Sequence, residues 1–337
     1  MGNVCKGVDR LATICPVNRE RMNEDMPFVI VAPTYDEHNW IIAIETLQKF
    51  ISNVIKNEYA DKSRMLSCHK DGTNTVENGA YAGKPLDEVL KLWGYEEKFP
   101  ILIKLIDAKD RLSVQVHPDN TYALENEGEY GKTEMWDVVD CEEGAQLIYG
   151  FNKKISRSEF EERIKNNTLD EVMNYVPVKK GDVFFIKAGT LHAIGKGILI
   201  AEIQQNSNTT YRVSDYGRLG ADGKPRELHV NKAVDVTVTD VPTIPYGNVG
   251  EVKVFDYGTE RQLAECEYFK TVKLDLDGEK KINTESGFVS LLVLSGEVTV
   301  KYDGGEVNAQ KGGSILIPQG LKVLLIGRAE VICTKEN

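Results

Sequence analysis

Three short stretches of the chain carry side chains whose types and spacing suit a divalent metal ion. In "RLSVQVHPDN", Gln115 and His117 stand two residues apart in an alternating run. An extended strand would turn both to one side, with Ser113 on the same face, before Pro118 ends it. In "GKTEMWDVV", Glu134 opens an apolar run, where a carboxylate is costly to bury unless paired or bound to a cation. In "AGTLHAI", His192 follows a glycine turn. One carboxamide, one carboxylate and two neutral imidazoles favour zinc, and after it iron or manganese, over calcium or magnesium. Four such donors with room for water or a substrate would make an open Lewis-acid site. The competing reading of Gln115 and His117 is a hydrogen-bonded pair in an ordinary core.

A second group suits an anionic substrate. Arg212, in "NTTYRVSDYGR", either points into a pocket, where it could stabilise an oxyanion, or pairs at the surface with Asp215. Glu202 lies ten residues after His192 and ten before Arg212. Lys104 sits in the apolar run "FPILIKLIDAKD", and Lys132 is two residues from Glu134, so it would share that face. Either lysine could hold a phosphate as a point charge, or simply be solvated.

These donors need a scaffold that gathers distant segments. From about residue 65 the chain reads as short strands separated by Gly, Asp and Asn, the grammar of a sandwich or barrel. A weak internal repeat supports this. "KKGDVFFIKAGTLHAIGKG" from Lys179 aligns without gaps with "QKGGSILIPQGLKVLLIGR" from Gln310, matching Gly181 to Gly312, Ile186 to Ile317 and Gly189 to Gly320. Two barrel units of one design follow. His192 aligns with Val323, so only the first unit could hold what His192 holds. "LSGEVTVKYDGGEV" adds an Asp-Gly hairpin ahead of the second copy.

Helices are few. Residues 156–177 open with serines followed three positions later by glutamates, which predicts a capped helix ending at Pro177. A shorter helix is expected over 84–94, stopped by Gly94. The first sixty residues read differently, as α/β: a strand in "PFVIVAP" (27–33), then an amphipathic helix with Ile44, Leu47, Ile51, Val54 and Ile55 at helical spacing. The expected organisation is an atypical segment 1–64, a metal-binding barrel 65–240 with the helical insertion 156–177, and a second barrel 241–337 without metal ligands.

A formal charge of -11 argues against nucleic acid and anionic membrane as partners, since both are bound through basic surface. No secretory leader and no apolar run near the ~20 residues of a membrane span are visible. Cys5, Cys15, Cys68, Cys141, Cys266 and Cys333 are scattered without a CxxC pair, which suits free thiols in a cytoplasmic protein.

Taken together, "FPILIKLIDAKDRLSVQVHPDN", "GEYGKTEMWDVVD", "GAQLIYGF" and "AGTLHAIGKGILIAEIQQNSNTTYRVSDYGR" resemble the type I mannose-6-phosphate isomerases in their short bacterial form. The likeness runs from about Leu66 to the end. It implies a mainly β fold of two cupin-type (jelly-roll) barrels with a few short helices. It implies one Zn2+ held by Gln115, His117, Glu134 and His192, with Arg212 as catalytic arginine and Glu202 as pocket carboxylate. Ser113, Lys104 and Lys132 fall on positions tied to the substrate or its phosphate. The implied reaction interconverts mannose 6-phosphate and fructose 6-phosphate through an enediol-type intermediate, with Glu202, Lys132 and a water on the metal as candidate bases. The expected partner is a hexose phosphate, and the expected assembly a monomer or weak homo-oligomer. Two other readings stand beside it: a degenerate cupin that binds metal or sugar phosphate without turnover, and an iron-dependent cupin oxygenase. An oxygenase has no need of Arg212 and Lys132.

The opening segment departs from that family. Its members begin with a strand and a Trp-Gly-Gly segment, then carry Glu-Ser-Trp-Glu just ahead of the equivalent of "LSCHKDG". Here that junction reads "DKSRM". The expectation is a fused or replaced N-terminus, with a divergent lineage-specific cap as the alternative, and a bared sheet edge that loosens the pocket and reduces activity.

Overall fold

Gly181 and Gly312 have φ of 85° and 83°, and Gly189 and Gly320 have 87° and 92°. Both repeat copies therefore turn through the left-handed region at both ends of one short strand, which glycine does without steric cost. The repeat is a structural corner used twice. The computed structural model describes residues 29–32, 34–35, 60–95, 99–219, 223–303 and 305–337. Within these the fold is mainly β with four short α-helices.

Early strands are β1 (Val29–Ala32), β2 (Thr34–Tyr35), β3 (Ala60–Leu66), β4 (Cys68–His69), β5 (Gly72–Thr73) and β6 (Thr75–Val76). The first barrel continues with β7 (Ile101–Ala108), β8 (Val114–Val116), β9 (Glu134–Cys141), β10 (Gln146–Phe151) and β11 (Met173–Pro177). It closes with β12 (Val183–Ile186), β13 (His192–Ala193), β14 (Ile198–Gln205) and β15 (Tyr211–Ser214). Two sheets face each other here, ordered β12-β9-β14-β7-β3-β2 and β11-β10-β13-β8-β15. The second barrel adds β16 (Val252–Phe255), β17 (Gly258–Glu265), β18 (Lys270–Asn283), β19 (Val289–Tyr302), β20 (Gly305–Gln310), β21 (Ser314–Ile317) and β22 (Lys322–Lys335). Its sheet runs β16-β17-β18-β22-β19-β21-β1-β6, with β20 beside β19 as the Asp-Gly hairpin requires.

The helices are α1 (Leu86–Leu92), α2 (Asn120–Glu127), α3 (Arg157–Lys165) and α4 (Val230–Val236). The capping signal at 156 holds, because Ser156 Oγ accepts from the Glu159 N–H at 3.0 Å. The helix, however, stops at Lys165, and "MNYVP" at 173–177 is strand β11 paired with β10. Asn167, at φ 57°, turns the chain out of the helix, and cross-strand pairing of Tyr175 with Ile148 and Val176 with Leu147 outweighs helical periodicity. No helix among the described residues is long and apolar enough to cross a membrane.

The expected helix over 40–59 lies outside the described residues. The strand in "PFVIVAP" is β1, which pairs with β21 (Val29 opposite Leu316) and with β6 (Val31 opposite Val76). The edge expected to be bare is covered: β3 pairs with β7 along its length, and β2 pairs with β3. One apolar cluster joins the barrels, with Trp136, Phe184 and Ile200 of the first in the same core as Phe269, Phe288 and Leu316 of the second. Phe99 and Phe288 pack at a tilt of 35° with centroids 4.7 Å apart across that boundary. Each such side chain contributes roughly 1.5–3 kcal/mol by burial, so the first barrel is held rigid from outside as well as within.

Candidate metal centre and substrate pocket

His192 on β13 lies opposite Gln115 on β8, and Gln115 lies opposite Arg212 on β15. Directly opposed residues share a face, so His192, Gln115 and Arg212 form one row across three strands. The facing sheet supplies Glu134 at the start of β9, opposite Gln204 on β14. One step along, Trp136, Glu202 and Lys104 form a second row across β9, β14 and β7. His117 lies just past β8, where Pro118 ends the run.

His117, Glu134 and His192 are buried, and one ligand atom from each lies within 4.8 Å of the others. Nδ1 of His117 is 2.8 Å from Thr209 O, and Nδ1 of His192 is 2.8 Å from Thr190 O. A carbonyl oxygen only accepts, so both Nδ1 atoms carry the proton and both Nε2 atoms present lone pairs. Glu134 Oε1 sits 3.3 Å from His192 Nε2, and Oε2 sits 3.8 Å from His117 Nε2. Lone pairs therefore face lone pairs, and His117 Nε2 and Glu134 Oε1 have no hydrogen-bond partner.

Electrostatics agree. Burial, then the charges of Lys132 and His192, hold His117 well below the usual imidazole range, and burial pushes His192 down to about 4. Both rings are neutral ligands at pH 7. Burial pushes the Glu134 carboxyl up to about 7 against the pull of Lys132. Such a cluster is satisfied by one cation at its centre, and the donor types suit zinc. Gln115 Nε2 is 3.3 Å from His192 Nε2, and a half-turn of the carboxamide presents Oε1 to the same point.

The charged wall beside this cluster is closely paired. Lys132 Nζ lies 2.6 Å from Glu134 Oε2 and 3.8 Å from Glu202 Oε1. Lys104 donates to Glu202 Oε1 at 2.9 Å and to Gln204 Oε1 at 2.6 Å, while Trp136 Nε1 donates to Glu202 Oε2 at 3.2 Å. Burial opposes ionisation of Glu202, yet Lys104, Lys132 and Lys62 hold it well below the usual carboxylate range. Burial pushes Lys104 down to about 8, whereas Glu134 and Glu202 outweigh burial at Lys132 and raise it.

Arg212 donates through Nη1 to Glu227 O at 3.0 Å, and its Nε is buried without a hydrogen-bond partner. The alternative pairing with Asp215 is taken by others: Arg218 Nη2 at 2.6 Å and Arg226 Nη2 at 2.5 Å. Ser113 is buried just ahead of β8. The residues singled out in the sequence, Ser113 apart, thus lie on the two facing rows or in contact with them. Four partners were missed. Gln204 and Trp136 each stand two residues from a chosen carboxylate, the same alternation that drew attention to Gln115 and His117. The carbonyls of Thr209 and Thr190 leave no side-chain signal.

Two family models match the chain: "Phosphomannose isomerase type I, catalytic domain" over residues 38–134, and "Mannose-6-phosphate isomerase, cupin domain" over 259–335. A mannose-6-phosphate isomerase of Streptococcus mutans is 37% identical over 308 residues, covering 89% of this chain and 96% of that protein. The chain belongs to the type I mannose-6-phosphate isomerase family. A second member, from Bacillus subtilis, is 40% identical over 274 residues, covering 79% of this chain and 86% of its own. The crystal structure of a mannose 6-phosphate isomerase from Bacillus subtilis superposes with a TM-score of 0.81 at 34% identity, covering 92% of this chain and 99% of that one. A putative mannosephosphate isomerase from Archaeoglobus fulgidus shares the fold at 21% identity, TM-score 0.72, covering 93% and 99%. The family match begins at residue 38, ahead of the boundary near 66 drawn from motifs.

Proposed function

We propose that this chain interconverts mannose 6-phosphate and fructose 6-phosphate and holds one zinc ion with Gln115, His117, Glu134 and His192. The observation that carries this reading is the convergence of unprotonated ligand atoms on one buried point, within the family fold. Zinc held by these residues would supply Lewis acidity for polarising the carbonyl of the open-chain sugar. Arg212, in the row with Gln115 and His192, places a fixed cation where the sugar oxygen gains negative charge. The proton removed from C2 of the aldose must return to C1. We assign that transfer to Glu202, a carboxylate held ionised by the lysines beside it. Lys104 and Lys132 supply positive charge for the phosphate, and Ser113 a hydroxyl.

Arg212→Ala is the direct test. Turnover, followed by coupled detection of fructose 6-phosphate, is expected to fall about 10²–10³-fold while zinc stays at one per chain. A variant as active as wild type would remove Arg212 from the mechanism. The metal itself is open to a pH test. Because the Glu134 carboxyl titrates at about 7, a proton competes with zinc below that pH and is absent above it. Zinc affinity is expected to fall by about tenfold per pH unit below 7 from this group alone, as read by chelator competition. A flat affinity between pH 5.5 and 7 would contradict the assignment.

One observation favours a second reading, a metal-binding protein without turnover. Lys62, Ser63, Arg64 and Met65 occupy β3 of the catalytic sheet, and the charge of Lys62 reaches both Glu202 and Lys104. A zinc-loaded but inert wild type would decide for it.

A further inference from the structure

We propose that His69 is a positioning residue for the metal centre, acting through Asn208 and Thr209 on the His117 ring. The proposal rests on the metal-site reading above and goes beyond it to a residue outside the ligand set.

His69 is buried in the β4–β5 hairpin, with only 1% of its surface exposed. Its Nδ1 accepts from the Asp71 N–H and from Asn208 Nδ2, both at 3.1 Å. With Nδ1 an acceptor, Nε2 carries the proton and donates to Glu129 Oε1 at 2.7 Å. A single ring thus ties three segments together: its own hairpin, the loop ahead of β9, and the loop between β14 and β15.

Both loops lead directly into the site. Glu129 lies three residues before Lys132 and five before Glu134. Asn208 precedes Thr209, whose carbonyl accepts from His117 Nδ1 and so sets the direction of the Nε2 lone pair. The loops are also cross-tied by Ser207 Oγ donating to Tyr130 O at 2.7 Å, and Ser207 Oγ accepts from the Thr209 N–H at 3.1 Å. Asn208 Nδ2 further reaches Asp71 Oδ2 at 2.9 Å. Each bond here has its direction fixed by donor chemistry, so the ring has one orientation and so does the carbonyl beyond Asn208. An imidazole meets this need because it accepts on one edge and donates on the other. A phenyl ring of similar size does neither.

The test is zinc affinity of the full chain, measured by competition with a chromophoric chelator, alongside melting of the metal-free protein. His69→Phe is expected to weaken zinc binding at least tenfold. His69→Gln, which keeps one donor and one acceptor, is expected to stay within threefold of wild type. Should His69→Phe fail to fold, Asn208→Ala removes the link to Thr209 while keeping the ring on Glu129, and the same weakening is expected. A merely structural role would lower the melting temperature without moving the zinc dissociation constant of the folded protein, and that result overturns the proposal. Equal loss in the Phe and Gln variants overturns it too. A wild type that binds no zinc overturns both this and the metal-site reading, whereas tight binding unaffected by either variant overturns this one alone.

Discussion

His192→Ala is expected to lose stoichiometric zinc and to lower isomerase turnover by at least about 10³-fold, the largest effect of any single substitution here. The Lewis-acid contribution of a bound metal is several kcal/mol, and each 1.36 kcal/mol is a factor of ten in rate. His192 also anchors the row that aligns Gln115 and Arg212, and its ring packs edge-on against Trp136 with centroids 5.3 Å apart. The metal-free variant, in contrast, is expected to fold. Removing the ring opens a cavity, but it also removes a lone pair that faces Glu134 Oε1 at 3.3 Å. Zinc content by elemental analysis, coupled assay and far-ultraviolet circular dichroism would be read together. A folded variant with full zinc and near-wild-type turnover would refute the ligand assignment.

The centre was legible because β-structure writes its faces into the sequence with period two. Gln115 with His117, Lys132 with Glu134, and Glu202 with Gln204 are all pairs two apart whose polar character breaks an apolar pattern. Glycines at 181, 189, 312 and 320 were equally readable, since their left-handed φ values are what the turns require. Two features were not. "MNYVP" fits the end of a helix by local composition, and only the partner β10, 22 or more residues earlier, makes it a strand. The opening segment lacked family motifs, yet β1 and β3 find partners in β21 and β7, because the ladder is made by backbone N–H and C=O groups that those motifs do not encode. His69 was invisible for a related reason. Its partners Glu129 and Asn208 lie 60 and 139 positions away, and nothing local marks it.

Lys273→Met is expected to destabilise the protein by about 3–5 kcal/mol, through an ion pair that joins the barrels. Alternation along β9 turns Glu134 and Trp136 inward and Asp137 outward, toward the second barrel. Asp137 is fully buried, and its Oδ2 lies 2.9 Å from Lys273 Nζ on β18. Lys273 also meets Glu330 at 2.7 Å, and Arg261 approaches Asp137 only to 4.0 Å. Removing the lysine strands a carboxylate in a buried interface. Burial already pushes the Asp137 carboxyl above its ordinary value despite Lys273, and without that lysine it rises further. A carboxyl with a raised folded-state pKa weakens the fold as pH climbs from its unfolded value of about 3.9. The defect of Lys273→Met is therefore expected to grow from pH 4 to pH 7 and to shrink on acidification. The double variant Asp137→Leu with Lys273→Met removes both charges and is expected to recover most of the loss, since well-packed apolar replacements of buried pairs are often neutral. Urea unfolding of the wild type and both variants at pH 4.5 and 7 checks this, and a Lys273→Met variant as stable as wild type at pH 7 would show that the pair contributes nothing. If the loss appears as expected, the strand that presents Glu134 to the two imidazoles is held from its far face by a charge on the second barrel. That gives the second barrel a part in shaping a site built on the first.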